Sequence, residues 1–94
     1  MIAIESLYDA AARSGMLTRA AFGSTEVMVD FRAPDEDVLD GLGISRNYSI
    51  RYPLSRLPAL ASGDTLWISG RSYLVREISV TGDGTEARAT LTRL

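Results

Sequence analysis

Cysteine, histidine and lysine are all missing from this 94-residue sequence, and each absence removes a class of chemistry. Without cysteine there is no disulfide, no thiolate nucleophile and no thiolate metal site. Without histidine the chain lacks the commonest general base and the commonest metal ligand. Without lysine it has no P-loop and no Ser-Lys dyad. Serines remain, but a standard catalytic triad cannot be assembled around them. No apolar run is long enough to span a bilayer. The first residues show no basic segment followed by an apolar core, so no signal peptide is expected.

All ten basic residues are arginine. Two explanations stand side by side: GC-rich codon usage, or selection for the planar, bidentate contacts with carboxylates that arginine makes better than lysine. The net charge of −2 is unevenly spread. Between Ser24 and Asn47, six acids (Glu26, Asp30, Asp35, Glu36, Asp37 and Asp40) face only Arg32 and Arg46. From Tyr48 onward, six arginines face Asp64, Glu77, Asp83 and Glu86. Such unlike patches suit either a heterologous interface in a ring or an ordinary solvated surface.

The length fits a single domain over residues 1–94, one that buries only about 60–65% of its unfolded surface and gains stability from partners. Residues 1–14 are predicted to form a short helix, because Ile4, Leu7, Tyr8 and Ala11 fall on one stripe and Ser14-Gly15 ends it. A helix this short must dock on something. Met16 to Thr25 fits either a strand or more helix. From residue 26 to residue 94 the pattern is β. Val27, Val29 and Phe31 alternate with polar residues, as do Tyr48, Ile50 and Tyr52. Pro34 stops the first of these strands. Residues 35–46 read as an acidic loop.

The region from Leu60 to Leu91 reads as three consecutive strands. Gly63-Asp64 opens them, Ser69-Gly70 makes a tight hairpin, and Gly82-Asp83-Gly84 makes a second turn. Gly63, Asp64, Gly70, Gly82 and Gly84 are therefore assigned to turns and fold. Tyr73 and Val75 share one parity while Ile78 and Val80 share the other. A bulge near Arg76-Glu77 is predicted to bring both pairs onto the core face. Ala87, Ala89 and Leu91 are predicted to point inward. The expected fold is mainly β, a small β-barrel or β-sandwich with one short N-terminal α-helix.

The sequence offers little for a chemical site. Asp35, Glu36, Asp37 and Asp40 form the one dense carboxylate set, and carboxylates exposed in a loop suit neither a general acid nor a dyad. An EF-hand starting at Asp35 fails at Asp40 and Arg46, where it needs Gly and Glu. Gly41-Leu42-Gly43 lacks the third glycine and the βαβ setting of a dinucleotide site. No cofactor, metal or catalytic residue is assigned. Tyr48, Tyr52, Trp67 and Tyr73 are stacking platforms on a nucleic-acid-binding barrel or else core and interface residues; the acidic balance favours the second. Trp67 opposes Leu66 and Ile68, so it underlies the docked helix or sits at an interface.

The run Leu60, Gly63, Asp64, Leu66, Ile68, Tyr73, Val75, followed by Gly82-Asp83-Gly84, resembles the signature hairpin of the lambda-type phage tail attachment (head–tail joining) family. Leu7-Tyr8-Asp9-Ala10-Ala11 is similar to that family's opening helix, and Asp30-Phe31-Arg32 with Pro34-Asp35-Glu36 to its first strand and loop. The resemblance implies a non-enzymatic virion protein at the head–tail junction, present in the host cytoplasm during assembly. Its implied partners are the portal or connector complex and tail proteins, with copies that are monomeric in solution forming a homo-oligomeric ring when assembled, through which DNA passes without specific binding, and no membrane is involved. Asp35, Glu36, Asp37, Asp40, Trp67 and Arg71 are the candidate partner-interface residues. Another tail adaptor or terminator component, or a small nucleic-acid-binding barrel, is the alternative.

Overall fold

A computed structural model describes residues 4–34 and 47–94. Among them, the helix α1 (Ile4–Arg13) precedes six strands: β1 (Thr18–Phe22), β2 (Thr25–Arg32), β3 (Tyr48–Pro53), β4 (Thr65–Ile68), β5 (Arg71–Thr81) and β6 (Glu86–Arg93). A single 3-10 turn, Leu54–Arg56, follows β3 in the proline-bearing connection. Every pairing is antiparallel, and the order β1-β2-β3-β6-β5-β4 closes on itself as a barrel. The mainly β expectation with one N-terminal helix is met. The segment left open between strand and helix supplies β1, turned into β2 by Gly23-Ser24.

Alternation decides what lies inside. Val27, Val29, Ile50, Tyr52, Leu66, Ile68, Tyr73, Val75, Ala87, Ala89 and Leu91 are all buried and fill the barrel. Leu57 and Leu60 join this core from the connection before β4. Phe31 stacks on Tyr48 with ring centroids 5.8 Å apart, and both meet the edge of Tyr73 at 5.6 and 5.1 Å, which is the offset and edge-on geometry that aromatic quadrupoles favour. The small side chains of Ala87 and Ala89 stand opposite the large, fully buried Tyr52 and Ile50 of β3.

The predicted bulge is present: the β5–β6 register slips between Val75 and Glu77. It turns Ile78 toward the core, but Val80 is exposed rather than inward. The reason is the length of β4. Its four residues pair with β5 only as far as Leu74, so Val80 faces Ala87 on one side and, among the described residues, has no strand beside it on the other. The helix also differs from expectation. Of its apolar stripe only Tyr8 is buried, while Leu7 is 51% exposed.

Candidate functional site

The β4–β5 hairpin carries the clearest surface feature. Leu66 and Ile68 point into the barrel, so the two-residue period drives Trp67 outward, where it is 54% exposed. Cross-strand register sets its surroundings. Trp67 stands opposite Ala21 on β1 and Ser72 on β5, and Ala21 stands opposite Glu26 on β2. Arg19, Ala21, Glu26, Ser69 and Gly70 complete a shallow depression around the indole.

Arg71 does not share that face. It pairs with Ile68, one position out of phase with Trp67, and lies exposed where the hairpin reaches the barrel mouth. The helix does not cover Trp67 either. α1 packs against β2 and β3, on the far side of the closed strand order from β4. Of the two settings open to this tryptophan, shelter beneath the helix is therefore excluded. Asp35, Glu36, Asp37 and Asp40, with the whole acidic loop over 35–46, lie outside the described residues.

The turn residues have specific structural work. Ser69 and Gly70 both have positive φ, 52° and 80°, as a two-residue hairpin with the right-handed twist of its strands requires. Gly63 donates its N–H to Val75 O at 2.8 Å, and Val75 returns its own N–H to Asp64 O at 2.8 Å. The Asp64 carboxylate accepts from Ala61 N at 2.8 Å, locking the corner before β4. Gly82 and Gly84 flank Asp83, whose carboxylate accepts from the Thr85 hydroxyl at 2.8 Å and from the Thr85 N–H at 3.3 Å. Those bonds hold its pKa below the usual carboxylate range.

A second feature went unseen in the sequence. Between α1 and β2 runs an open groove of about 320 Å³, lined by Ile4, Leu7, Tyr8, Ala11, Met16 and Leu17 and edged by Asp30, Arg32 and Glu86. Polar contacts hold the helix over it. The Tyr8 hydroxyl donates to Glu86, Arg56 donates to Asp9 at 2.8 Å, and the Ser55 hydroxyl donates to Glu5. Burial first, then the Glu86 carboxylate, pushes the Tyr8 hydroxyl well above its ordinary pKa. The one sequence signal was the stripe Ile4, Leu7, Tyr8 and Ala11, and periodicity shows which residues share a face but not whether that face is covered.

The four aromatics weighed as stacking platforms separate cleanly. Tyr52 and Tyr73 are buried, Tyr48 is stacked within the end cluster, and only Trp67 is exposed on the outer wall. A nucleic-acid strand would need several platforms in a row. Among the described residues, no group of three or more His, Cys, Asp or Glu side chains is placed to hold a metal ion, and no helix is long and apolar enough to cross a membrane.

What remains is a small closed barrel with a docked helix, whose distinctive surfaces are the exposed Trp67 and the groove beside α1. Its sequence matches the family of phage head-tail attachment proteins over residues 2–92, nearly the whole chain, and the chain belongs to that family. This makes it a structural protein of the junction between phage head and tail, interacting with components of both. A comparison with curated proteins gives no match.

Proposed function

We propose that this protein is a non-enzymatic joining piece that closes a ring on the connector end of the DNA-filled head and presents that ring to the tail. The observation that carries the proposal is the span of the family match, which takes in α1 and all six strands of the barrel. A barrel whose interior is filled by side chains offers its outside, and the ring would be built from outer-wall contacts. Self-closure leaves few free strand edges, so neighbours would join through side chains such as Trp67 more than by strand addition. A small domain of marginal stability gains both stability and avidity when many copies close together.

In this reading the acidic residues Asp35, Glu36, Asp37 and Asp40 contact partners, and acidic charge facing the ring lumen would let DNA pass by repulsion. Arg71, at the barrel mouth, belongs to a different contact from Trp67. The protein would be made in the host cytoplasm and end in the virion. The test is an in-frame deletion of the gene, followed by electron microscopy of the lysate. Filled heads beside complete, unattached tails are expected. Normal particles would remove the joining role, and tails of altered length would move the protein to a tail-terminator role.

A further inference from the structure

Trp67 and the α1 groove lie on opposite sides of one barrel. In the closed order β1-β2-β3-β6-β5-β4, the strand diametrically opposite β4 is β3, and α1 covers β2 and β3. Each surface is incomplete alone. Trp67 exposes more than half of an indole to water. In the groove, Leu7 is 51% and Met16 73% exposed.

We propose that Trp67 of one copy seats in the α1 groove of the next copy, and that this contact is the repeating interface of the ring. The proposal rests on the ring reading given above and names the surfaces that form it.

Three features of the groove fit an indole from a second copy of this chain. Its walls, Leu7, Met16 and Leu17, are apolar and suit the indole body, which buries about 150–250 Å² when fully covered. Its edge supplies what a buried indole N–H requires, an acceptor: Asp30 and Glu86 are both carboxylates there. Glu86 uses Oε2 for Tyr8, which leaves Oε1 to accept. The rims also match in charge. Arg19 and Glu26 flank Trp67, while Asp30, Glu86 and Arg32 flank the groove, where Arg32 already pairs with Asp30 at 3.2 Å, so Arg19 meets a rim with one carboxylate in excess and Glu26 meets the Arg32 side of it. Because the two surfaces are different and lie on opposite faces, their union is heterologous. It propagates from copy to copy and closes when the rotation per copy divides a full turn.

Trp67 is the sole tryptophan, so its fluorescence reports this contact directly. The experiment raises the concentration of the purified chain, alone and on filled heads lacking it, and follows emission wavelength together with mass. As rings form, emission is expected to move to shorter wavelength. Trp67→Ala and Leu7→Glu are each expected to stay monomeric while keeping the barrel's circular dichroism, since both side chains are half exposed. Trp67→Phe, which keeps a ring but loses the N–H, is expected to need a higher concentration to assemble. Mixing Trp67→Ala, whose groove is intact, with Leu7→Glu, whose tryptophan is intact, is expected to give dimers and nothing larger. Rings that form with Trp67 still in water would overturn the interface and leave the ring standing. An emission shift that appears only when tails are added would overturn it in favour of a tail partner. A chain that joins heads to tails without forming a ring would overturn the ring reading and this contact together.

Discussion

The Tyr8 hydroxyl donates a hydrogen bond to the Glu86 carboxylate across 78 residues of sequence, tying the N-terminal helix to the first residue of β6. The bond spans nearly the whole chain and is partly sheltered from water. It also couples the two ends to each other through the wall of the groove.

Tyr8→Phe removes this bond and leaves the ring of the side chain in place. A hydrogen bond to a charged group contributes about 1.5–3 kcal/mol, and this partly exposed one is expected near the lower end. For a domain of this size the thermal midpoint should fall by about 5–10 °C, read by circular dichroism. The pH dependence has a definite sign. The Tyr8 hydroxyl has its pKa raised above the ordinary 10.0, so its contribution is complete below that value and disappears as pH rises through the higher folded-state value. The wild-type chain should therefore lose more stability than Tyr8→Phe on going to strongly alkaline pH. Equal losses would show that the bond does not hold the helix.

Tyr52 presents the opposite case. Its side chain is fully buried, and its hydroxyl has no hydrogen-bond partner among the described residues. Burial also raises its pKa. A buried hydroxyl without a partner costs about 1–3 kcal/mol of desolvation. Tyr52→Phe is thus expected to stabilise the barrel, by about 1 kcal/mol in a urea titration. A destabilised variant would mean that the hydroxyl has a partner after all.

The β4–β5 turn separates conformational cost from packing. Nothing lies within 4 Å of a Cβ built on Gly70, so a substitution there meets no clash and pays only for its φ of +80°. Gly70→Ala is expected to cost about 1–2 kcal/mol. Ser69, also at positive φ, is expected to gain about 0.5 kcal/mol as Ser69→Asn, because Asn-Gly is the preferred pair for such hairpins. Chemical denaturation of the three chains decides it, and equal stabilities would contradict this turn geometry.

Charge reversal of Asp35, Glu36 and Asp37 to arginine tests the acidic segment. Read from its sequence as an acidic loop, the segment should tolerate the change, so the variant is expected to fold with a thermal midpoint that reflects a shift of less than about 0.5 kcal/mol. Joining of heads to tails should fall sharply in the same lysate assay. Normal joining would remove that segment from the interface.

Much of this architecture was legible in the sequence, for identifiable reasons. Strict alternation at Val27-Val29, Leu66-Ile68 and Ala87-Ala89-Leu91 fixes the inner face of each strand, because a one-residue slip would expose the whole set. The change of parity between Val75 and Ile78 revealed the bulge. Closure into a barrel, the strand order and the pairing of β1 with β4 were not legible, since they depend on contacts between segments far apart in the chain. The same limit hid the groove, which exists only where α1 meets β2. It also hid that Arg71 and Trp67, both candidate interface residues, lie out of phase on the hairpin.

Reconstitution tests the joining role most directly. Filled heads and free tails are taken from a lysate that lacks this protein and mixed with the purified chain. Infectious particles are expected to appear in proportion to added protein and to disappear when heads are omitted or when Trp67→Ala replaces the natural chain. Heads and tails that join equally well without the protein would contradict the account.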